Sequence, residues 1–248
     1  MDDLIARAAH YIARSARVVA LTGAGISVES GIPPFRGKGG VWETIDPMEF
    51  AHIDAFMRDP EKVWRILITM MKQCLDEARP NAGHRGLAQL EARGHINTVI
   101  TQNVDGLHQM AGSTDVIEFH GTFAVLRCLD CREKVPARDI RIDTLPPRCH
   151  CGGIYRPDCV FFGEMIPPAA LARSQAAAGA CEVMLVVGTS ATVQPAAFMP
   201  VIARDNGAVV IEINPEPTPL TRSVSDFLIP GKGGDVMDRL VTAVSAAT

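Results

Sequence analysis

A glycine-rich turn directly after an apolar run is the first segment of this chain that could hold a ligand. Residues 18–21 are apolar, as expected of a strand buried on both faces, and Gly23-Ala24-Gly25 ends the run. Glycine permits a tight turn and lets a phosphate approach where a Cβ would block it. Ser27 and its neighbours can begin a short helix whose free N–H groups attract a pyrophosphate. The spacing favours phosphate binding over an ordinary strand–turn–helix, although it is not the G-x-G-x-x-G of a dehydrogenase.

Further polar clusters stand where other apolar runs end. They are Gln102, Asn103, Val104 and Asp105 after residues 96–101, His120 after 115–119, Gly188, Thr189 and Ser190 after 183–187, and Asn214 after 208–213. Because the C-terminal ends of parallel strands share one edge of a sheet, we expect these residues to converge on one ligand. A lone histidine is more often a core residue, and Asn or Asp after a strand often only forms a turn. Because five such clusters, including the glycine turn, fall at one edge, a binding site is a better explanation than separate core and turn roles.

A proline pair carries the chain out of the glycine turn. Pro33 and Pro34 cannot continue a helix, so the chain leaves as a loop that carries Phe35 and Arg36 past the same glycines. An aromatic ring and a cation beside a phosphate site suit the covering and steadying of a nucleotide.

Two close cysteine pairs predict a structural zinc site. Cys128 and Cys131 form a C-x₂-C pair, and Cys149 and Cys151 follow as C-x-C beside Gly152-Gly153. Four thiolates fill a tetrahedral zinc sphere and leave no open position for substrate, so the metal is expected to stabilise a small module. Because the second pair is irregular, His150 or Cys159 remains an alternative ligand. Cys74 and Cys181 lie in apolar surroundings and are predicted to be core residues.

The elements that must position these residues alternate between strand and helix. Helices are expected over residues 2–14, 84–93 and 196–204 and at the C-terminus, and strands over 18–21, 96–101, 115–119, 183–187, 208–213 and 227–229. This order predicts an α/β fold with a doubly wound, Rossmann-like parallel sheet. Residues 1–40, 85–121 and 158–248 would form that domain. A helical module, 41–84, and a zinc-binding module, 122–157, would form a smaller inserted domain.

A helix expected over residues 60–77 carries more apolar residues than one buried stripe needs. They are Val63, Trp64, Ile66, Leu67, Ile68, Met70 and Met71. Either the helix is wholly buried, or part of its apolar face lines a groove.

Composition excludes several classes of function. The chain has 248 residues, a net charge of −4 and no basic run, which gives nucleic-acid binding no support. We expect no membrane span and no signal peptide, since no apolar stretch is long enough and the acidic N-terminus runs straight into a helix. Seven cysteines without an export signal favour thiols and metal over disulfides, and so the cytoplasm.

Together these residues resemble the sirtuin family of NAD-dependent protein deacylases, in its short, zinc-containing prokaryotic form. The resemblance covers nearly the whole chain. It rests on Gly23-Ala24-Gly25-Ile26-Ser27, Gly31-Ile32-Pro33, Phe35-Arg36-Gly37, Thr101-Gln102-Asn103-Val104-Asp105, His120-Gly121, the four cysteines, Val160-Phe161-Phe162-Gly163-Glu164, Gly188-Thr189-Ser190 and Asn214, in the family's order. Any one motif could mislead, but the ordered set is specific.

The resemblance implies a reaction and roles in it. The family removes an acyl group from lysine while cleaving nicotinamide from NAD, and it releases O-acyl-ADP-ribose. By motif match His120 is the base and acts with Asn103, while Asn103 and Asp105 recognise nicotinamide and ribose. Gln102 would contact ribose, Arg36 would steady the phosphate side, and Phe35 would keep water from C1′. Ser190 and Asn214 would hold the adenosine ribose, with Gly233 near adenine.

Substrate contacts follow from the same resemblance. The strip Val160, Phe161, Phe162, Gly163 and Glu164 matches the segment that pairs with an extended peptide through backbone hydrogen bonds. Succinyl-removing sirtuins carry Tyr-x-x-Arg on the helix after the first motif, where this chain has Leu67 and Met70. We therefore expect uncharged acyl groups, acetyl first and then longer chains. Pro34 departs from the Asp or Thr of many members, which makes the local ribose and nicotinamide contacts less certain.

Two other functions compete with a monomeric lysine deacylase. The same NAD site could serve ADP-ribosyl transfer or NAD hydrolysis, or the chain could be a catalytically silent NAD-sensing module. The presence of His120 and Asn103 argues against a protein without catalytic activity. The presence of the whole strip at residues 160–164 argues for a peptide substrate.

Overall fold

Strands and helices alternate along most of the chain. The computed structural model describes residues 1–35 and 39–247. Its helices are α1 (Asp2–Arg14), α2 (Pro47–Phe50), α3 (Ile53–Arg58), α4 (Pro60–Val63), α5 (Thr69–Glu77), α6 (Ala82–Ala92), α7 (Leu107–Ala111), α8 (Pro168–Ala180), α9 (Met199–Asp205) and α10 (Gly233–Ala247). Its strands are β1 (Val18–Thr22), β2 (Thr98–Thr101), β3 (Val116–Glu118), β4 (Gly121–Cys128), β5 (Lys134–Pro136), β6 (Tyr155–Cys159), β7 (Val183–Val187), β8 (Val209–Asn214) and β9 (Phe227–Pro230).

Six strands form one parallel sheet in the order β3-β2-β1-β7-β8-β9. The chain starts in the middle, builds outward through β2 and β3, and then returns to the other side of β1. The loops after β1 and β7 therefore leave the sheet in a crevice where the strand order reverses, which is where ligands bind in such sheets. The predicted doubly wound fold is confirmed.

Helices cover both faces of this sheet, which is why its central strands are apolar throughout. In β1, Val18 and Ala20 pack in the core beneath α1, α6 and α10, whereas Val19 and Leu21 pack in the core beneath α8 and α9. All five residues of β1 are buried. None of the described helices combines the length and apolarity needed to cross a bilayer.

A second, antiparallel sheet has the strand order β5-β4-β6. Its apolar residues share one cluster with the helical segment between β1 and β2: Phe56, Trp64, Leu67 and Met71 pack with residues such as Leu126 and Tyr155. Trp64 Nε1 donates to the Tyr155 carbonyl at 2.9 Å, which joins the two parts further. The helical and cysteine-rich segments thus share a core distinct from those of the large sheet.

The helix expected over residues 60–77 contains a wider turn. α4 passes into a π-helical turn, Trp64–Ile68, which then continues as α5. Thr69 Oγ1 donates to the Trp64 carbonyl at 2.8 Å, which satisfies a carbonyl in this turn. Single π turns of this kind are frequent at functional sites.

Candidate active site

A cavity of about 1020 Å³ opens at the C-terminal edge of the large sheet. Its wall on the sheet side comes from the loops that follow five parallel strands. The predicted cofactor residues that line it are Gly23, Ala24, Gly25, Phe35, Gln102, Asn103, Val104, His120, Gly188, Thr189, Ser190 and Asn214. The expected convergence of these clusters is therefore present, and the cavity is large enough for a dinucleotide or a comparable ligand.

Two glycines bring the backbones of neighbouring loops into contact at the crevice. A Cβ on Gly25 would lie 2.6 Å from the Gly188 carbonyl oxygen, and one on Gly188, whose φ is +61°, would lie 2.3 Å from Ile26 N. The Gly25 N–H donates to that same carbonyl at 2.7 Å. The Gly25 N–H is therefore used within the protein and is not available to a phosphate. The helix expected around Ser27 is a 3₁₀ helix, Ala24–Ser30.

Asn103 lies in the cavity wall with its amide orientation fixed from behind. Asn103 Nδ2 donates to the Gly23 carbonyl and to Ser27 Oγ, each at 3.1 Å. Ser27 Oγ in turn donates to Asp105 Oδ2 at 2.6 Å. Both amide protons are used, so Asn103 Oδ1 is the acceptor that this side chain can present to a ligand.

Ser27 and Asp105 are not among the cavity-lining residues, and their predicted contacts with NAD stay predictions. The second oxygen of Asp105, Oδ1, accepts the N–H of Leu107 at the start of α7 at 2.9 Å. With both oxygens engaged, Asp105 orients Ser27 and thereby Asn103. Gly233 does not line the cavity either, because it packs against Ile26 and Val187 at the start of α10.

Two buried histidines lie behind this wall. His84 Nε2 lies 3.4 Å from Ser27 Oγ, and His108 Nε2 lies 2.9 Å from Thr22 Oγ1, both within hydrogen-bond distance. Burial lowers the pKa of His84 to about 4, despite the opposing charge of Asp105, and the pKa of His108 to about 3. Both rings are neutral at physiological pH and act here as hydrogen-bonding parts of the core.

His120 is different because its ring lines the cavity. Nδ1 lies 2.9 Å from the Gln102 carbonyl, which can only accept, so Nδ1 carries the proton and the neutral ring keeps a lone pair on Nε2. Burial lowers the pKa of His120, and the hydrogen bond to Gln102 opposes that shift only in part. The residue between β3 and β4 is thus a neutral base held in one tautomer.

The aromatic loop is partly described. Phe35 stacks on Trp42 with ring centroids 5.3 Å apart, and the N–H groups of Val41 and Trp42 donate to the carbonyls of Pro34 and Phe35. Pro34, which replaces the Asp or Thr of many family members, thus lies in the cavity wall, and its carbonyl accepts the N–H of Val41. Arg36, predicted to steady the phosphate side, and Gly37 lie outside the described residues.

The strip predicted to bind peptide lines the cavity along its whole length, from Val160 through Phe161, Phe162 and Gly163 to Glu164. It is not a strand of either sheet, because β6 ends at Cys159. It is held instead by hydrogen bonds at separate points. Val160 N donates to the His120 carbonyl at 2.8 Å, and Phe162 forms a parallel bridge with His52.

The acyl end of the site differs by one residue from the prediction. Leu67 lines the cavity as expected, and the lining includes Met71 but not Met70. Residues three and four apart both neighbour each other on a helix, so either methionine could lie beside Leu67. The residues remain uncharged, so the apolar character predicted for this end is retained.

Four cysteines form the cluster expected for zinc. The Sγ atoms of Cys128, Cys131, Cys149 and Cys151 all lie within 4.8 Å of one another. Cys128 and Cys151 are 3.5 Å apart, and Cys131 and Cys149 are 3.6 Å apart. A tetrahedral site with Zn–S bonds of about 2.3 Å needs sulfur atoms roughly 3.8 Å apart. The donor set and spacing therefore fit zinc.

Cys159 and His150, the two alternative zinc ligands, are not members of the four-cysteine cluster. Cys159 is not in this cluster but lines the cavity, where burial raises the pKa of its thiol to about 12. His150 is not one of the four clustered residues, but its Nδ1 lies 3.5 Å from Cys149 Sγ and 3.1 Å from Glu133 Oε2, and these three residues form a second group that could hold a metal ion. Of the predicted core cysteines, Cys181 is buried and Cys74 is only partly covered.

Several cavity residues have no counterpart in the sequence predictions. The wall also includes Trp42, Ala51, Phe123, Met165, Ile166 and the segments 192–195 and 216–219. The stack of Trp42 on Phe35 follows no spacing rule, because the intervening loop sets it. The extra apolar residues in the helix at 60–77 were the one available signal for Met71.

Comparison with known proteins identifies the family. The model of the Sir2 family matches residues 23–195, which include every loop that lines the cavity up to Pro195. The chain belongs to the Sir2 family.

Its Sir2 relatives span almost the same length. NAD-dependent protein deacylase 1 of Archaeoglobus fulgidus is 47% identical over 237 residues, which cover 95% of this chain and 96% of that protein. NAD-dependent protein deacylase 2 of Pyrobaculum aerophilum is 48% identical, with 95% and 94% covered. The similarity therefore includes the sheet, the cysteine module and the cavity.

Solved Sir2 structures superpose closely on this fold. A Sir2 homologue in complex with NAD gives a TM-score of 0.90 at 45% identity, covering 98% of this chain and 94% of that one. A Sir2 protein bound to a deacetylated p53 peptide and 3′-O-acetyl-ADP-ribose gives 0.88 at 34% identity, with 95% and 96% covered. Another, bound to a myristoylated histone peptide, gives 0.81 at 36%, with 99% and 98% covered.

Proposed function

We propose that this protein is an NAD-dependent protein-lysine deacylase that transfers the acyl group to ADP-ribose and releases nicotinamide. The observation that carries the proposal is His120, held as a neutral base in a cavity wall that also contains the glycine turn and Asn103. The relatives that share the whole chain are named NAD-dependent protein deacylases, which supports the same reaction.

The sheet edge would hold NAD. Glycine at positions 23 and 25 lets the turn pack against the loop after β7, because a Cβ on either residue would lie within 2.7 Å of that loop. The cavity side of the same turn would hold the phosphates. Ser190 and Asn214 would hold the adenosine ribose, while Gln102 and Asn103 would face the nicotinamide ribose. When bound, NAD supplies a ribose carbon that accepts the acyl oxygen as nicotinamide leaves.

The chain's own residues orient the reactants and move the proton. His120 takes a proton from a ligand hydroxyl through Nε2 and stores it on a ring whose Nδ1–H stays bonded to the Gln102 carbonyl. Asn103 offers its amide oxygen from a side chain fixed by Gly23 and Ser27. Phe35 and Trp42, stacked beside the cavity, would exclude water from the reacting carbon.

Acyl-lysine peptides are the proposed partners. The strip of residues 160–164 would lie along the peptide, and Leu67 with Met71 would surround the distal end of the acyl group. The Sir2 structures that contain p53 and histone peptides support a peptide substrate for this site.

Finer properties remain part of the proposal. We propose a monomer without a nucleic-acid partner, supported by the net charge of −4 and by a sequence without a dedicated interface segment. A cytoplasmic location is supported by the seven free thiols, four of which make up the cysteine cluster. The domain division at residues 40, 85, 121 and 158 is supported by the separate core that the helical and zinc modules share.

Incubation with NAD and an acetyl-lysine peptide separates this function from its rivals. Loss of the acetyl group together with O-acetyl-ADP-ribose is the result that we expect. Release of nicotinamide with the acetyl group retained on lysine would instead indicate ADP-ribosyl transfer or NAD hydrolysis. Absence of any product would indicate a silent NAD-binding module.

A further inference from the structure

The most completely buried cation of the small sheet lies next to the peptide strip but outside the cavity. Arg156, on β6, is 1% exposed and is not among the cavity-lining residues. Its Nη1 and Nη2 atoms donate to the two carboxylate oxygens of Glu164, at 2.7 and 2.6 Å. Nη2 also donates to the Cys159 carbonyl at 2.7 Å. The guanidinium therefore joins the last residue of the strip to the end of β6.

Two aromatic rings also contact the Arg156 guanidinium. Arg156 Cζ lies 4.4 Å from the ring centroid of Phe161 and 5.8 Å from that of Phe56. Only a planar cation can stack on a ring while donating to both oxygens of one carboxylate. The geometry is thus specific to arginine.

Glu164 uses its carboxylate inside the protein, although the residue lines the cavity. Oε2 accepts the N–H of Phe161 at 2.9 Å in addition to the bond from Arg156. Burial disfavours the charge, but the hydrogen bonds from Arg156 and Phe161 outweigh it and lower the pKa of Glu164. The carboxylate stays ionised and closes the strip into a turn, in which Glu164 N donates to the Phe161 carbonyl.

The same strip is connected to the helical module and to the residue proposed as base. Phe162 N donates to the Ala51 carbonyl and Ile53 N donates to the Phe162 carbonyl, both at 2.9 Å. Val160 N donates to the carbonyl of His120. A shift of the strip would therefore change its position relative to His120. Arg156 holds the end of the strip opposite to Val160.

A buried ion pair of this kind is rarely retained for stability alone, because apolar residues of similar volume often stabilise a core as well or better. We propose that Arg156 is a positioning residue for the peptide substrate: it fixes Glu164, and through it the strip of residues 160–164, in the geometry that pairs with an extended peptide. This role rests on the deacylase function proposed above. It assigns Glu164 to the shaping of the strip rather than to a side-chain contact with peptide.

Arg156→Lys tests the role, since lysine keeps the charge but cannot bond both oxygens and stack on Phe161. We expect the KM for an acetyl-lysine peptide to rise about tenfold or more, as for the loss of one charge-assisted hydrogen bond. The KM for NAD, the Kd for ADP-ribose and kcat should stay within about twofold. The matched control is Arg127→Lys on β4, whose side chain pairs with Asp158 and whose positive charge, which also favours ionised Glu164, is kept by the substitution.

Zinc content and a cooperative thermal transition show that each variant is folded. If Arg156→Lys does not fold, Glu164→Gln carries the same test from the partly exposed side of the pair. An unchanged peptide KM in a folded variant, or an equal rise in the KM values for peptide and NAD, would overturn the positioning role. Absence of deacylation by the wild-type protein would overturn the proposed function itself, so the two failures can be told apart.

Discussion

His120 differs from the other buried histidines in what its free nitrogen can reach. His84 and His108 use their Nε2 atoms on Ser27 and Thr22 inside the core, whereas His120 lines the cavity and bonds the protein through Nδ1. Burial of a histidine is therefore not enough to identify it as the catalytic base. The tautomer that the Gln102 carbonyl imposes leaves one basic atom for a ligand.

Replacing His120 should remove catalysis without removing the fold. In His120→Ala we expect kcat for deacetylation to fall by roughly 10²–10⁴-fold, the usual contribution of a positioned base. Far-UV circular dichroism and the Kd for ADP-ribose should remain near wild-type values. His10→Ala, an exposed position on α1, is the control. Turnover near the wild-type rate in His120→Ala would show that His120 is not the catalytic base.

The pH dependence of kcat follows from the lowered pKa of His120. Protonation of the ring abolishes the base, and burial shifts that protonation to lower pH than for an ordinary histidine. We therefore expect kcat to exceed half of its plateau value at pH 6.5 and to fall further in more acidic solution. A profile recorded with saturating NAD and peptide measures this. A half-maximal point above pH 6.5 would contradict the environment described for the ring.

At the scale of elements, the cysteine module decides how the small sheet folds. Cys149→Ser should lose zinc, because serine replaces one of four thiolates, whereas Cys159→Ser should keep one zinc per chain. The binding free energy of structural zinc sites is about 10–16 kcal/mol, so the first variant should also lose its cooperative thermal transition. Elemental analysis and calorimetry check both. Zinc retained by Cys149→Ser but lost by Cys159→Ser would reverse the ligand assignment.

The helical segment from α4 to α5 decides the character of the acyl end. Leu67 and Met71 offer neither charge nor a hydrogen-bond donor, so a buried carboxylate would cost on the order of several kcal/mol. We expect kcat/KM for a succinyl-lysine peptide to be lower than for matched acetyl and myristoyl peptides by orders of magnitude. Arg65 and Lys72 do not change this, since they pair with Glu61 and Asp76 on the same helical segment.

Variants of the adjacent methionines test which one faces the acyl group. Met71→Arg should raise succinyl activity relative to acetyl activity, while Met70→Arg, outside the cavity lining, serves as the control. A succinyl kcat/KM equal to or above the acetyl value in the wild-type protein would contradict the account of this pocket and leave the chemistry at His120 untouched.

Across the whole molecule, the features that follow from local periodicity were predictable. Apolar runs ended by glycine or polar residues placed the strands of the large sheet and the loops at its edge, and cysteine spacing placed the metal cluster. The choice between Met70 and Met71 was not predictable, because residues three and four apart both lie beside Leu67 on a helix. The hydrogen bonds of Asp105 to Ser27 and of Glu164 to Arg156 were not predictable either, because tertiary structure alone brings these partners together.

The fate of the acyl group tests the central claim most directly. The wild-type protein is incubated with NAD and a peptide whose lysine carries a ¹³C-labelled acetyl group, and the products are followed by mass spectrometry. The account predicts that the label appears on ADP-ribose, with one nicotinamide released for each lysine that loses its acetyl group. Label released as free acetate without consumption of NAD, or NAD cleaved while the label stays on lysine, would contradict it.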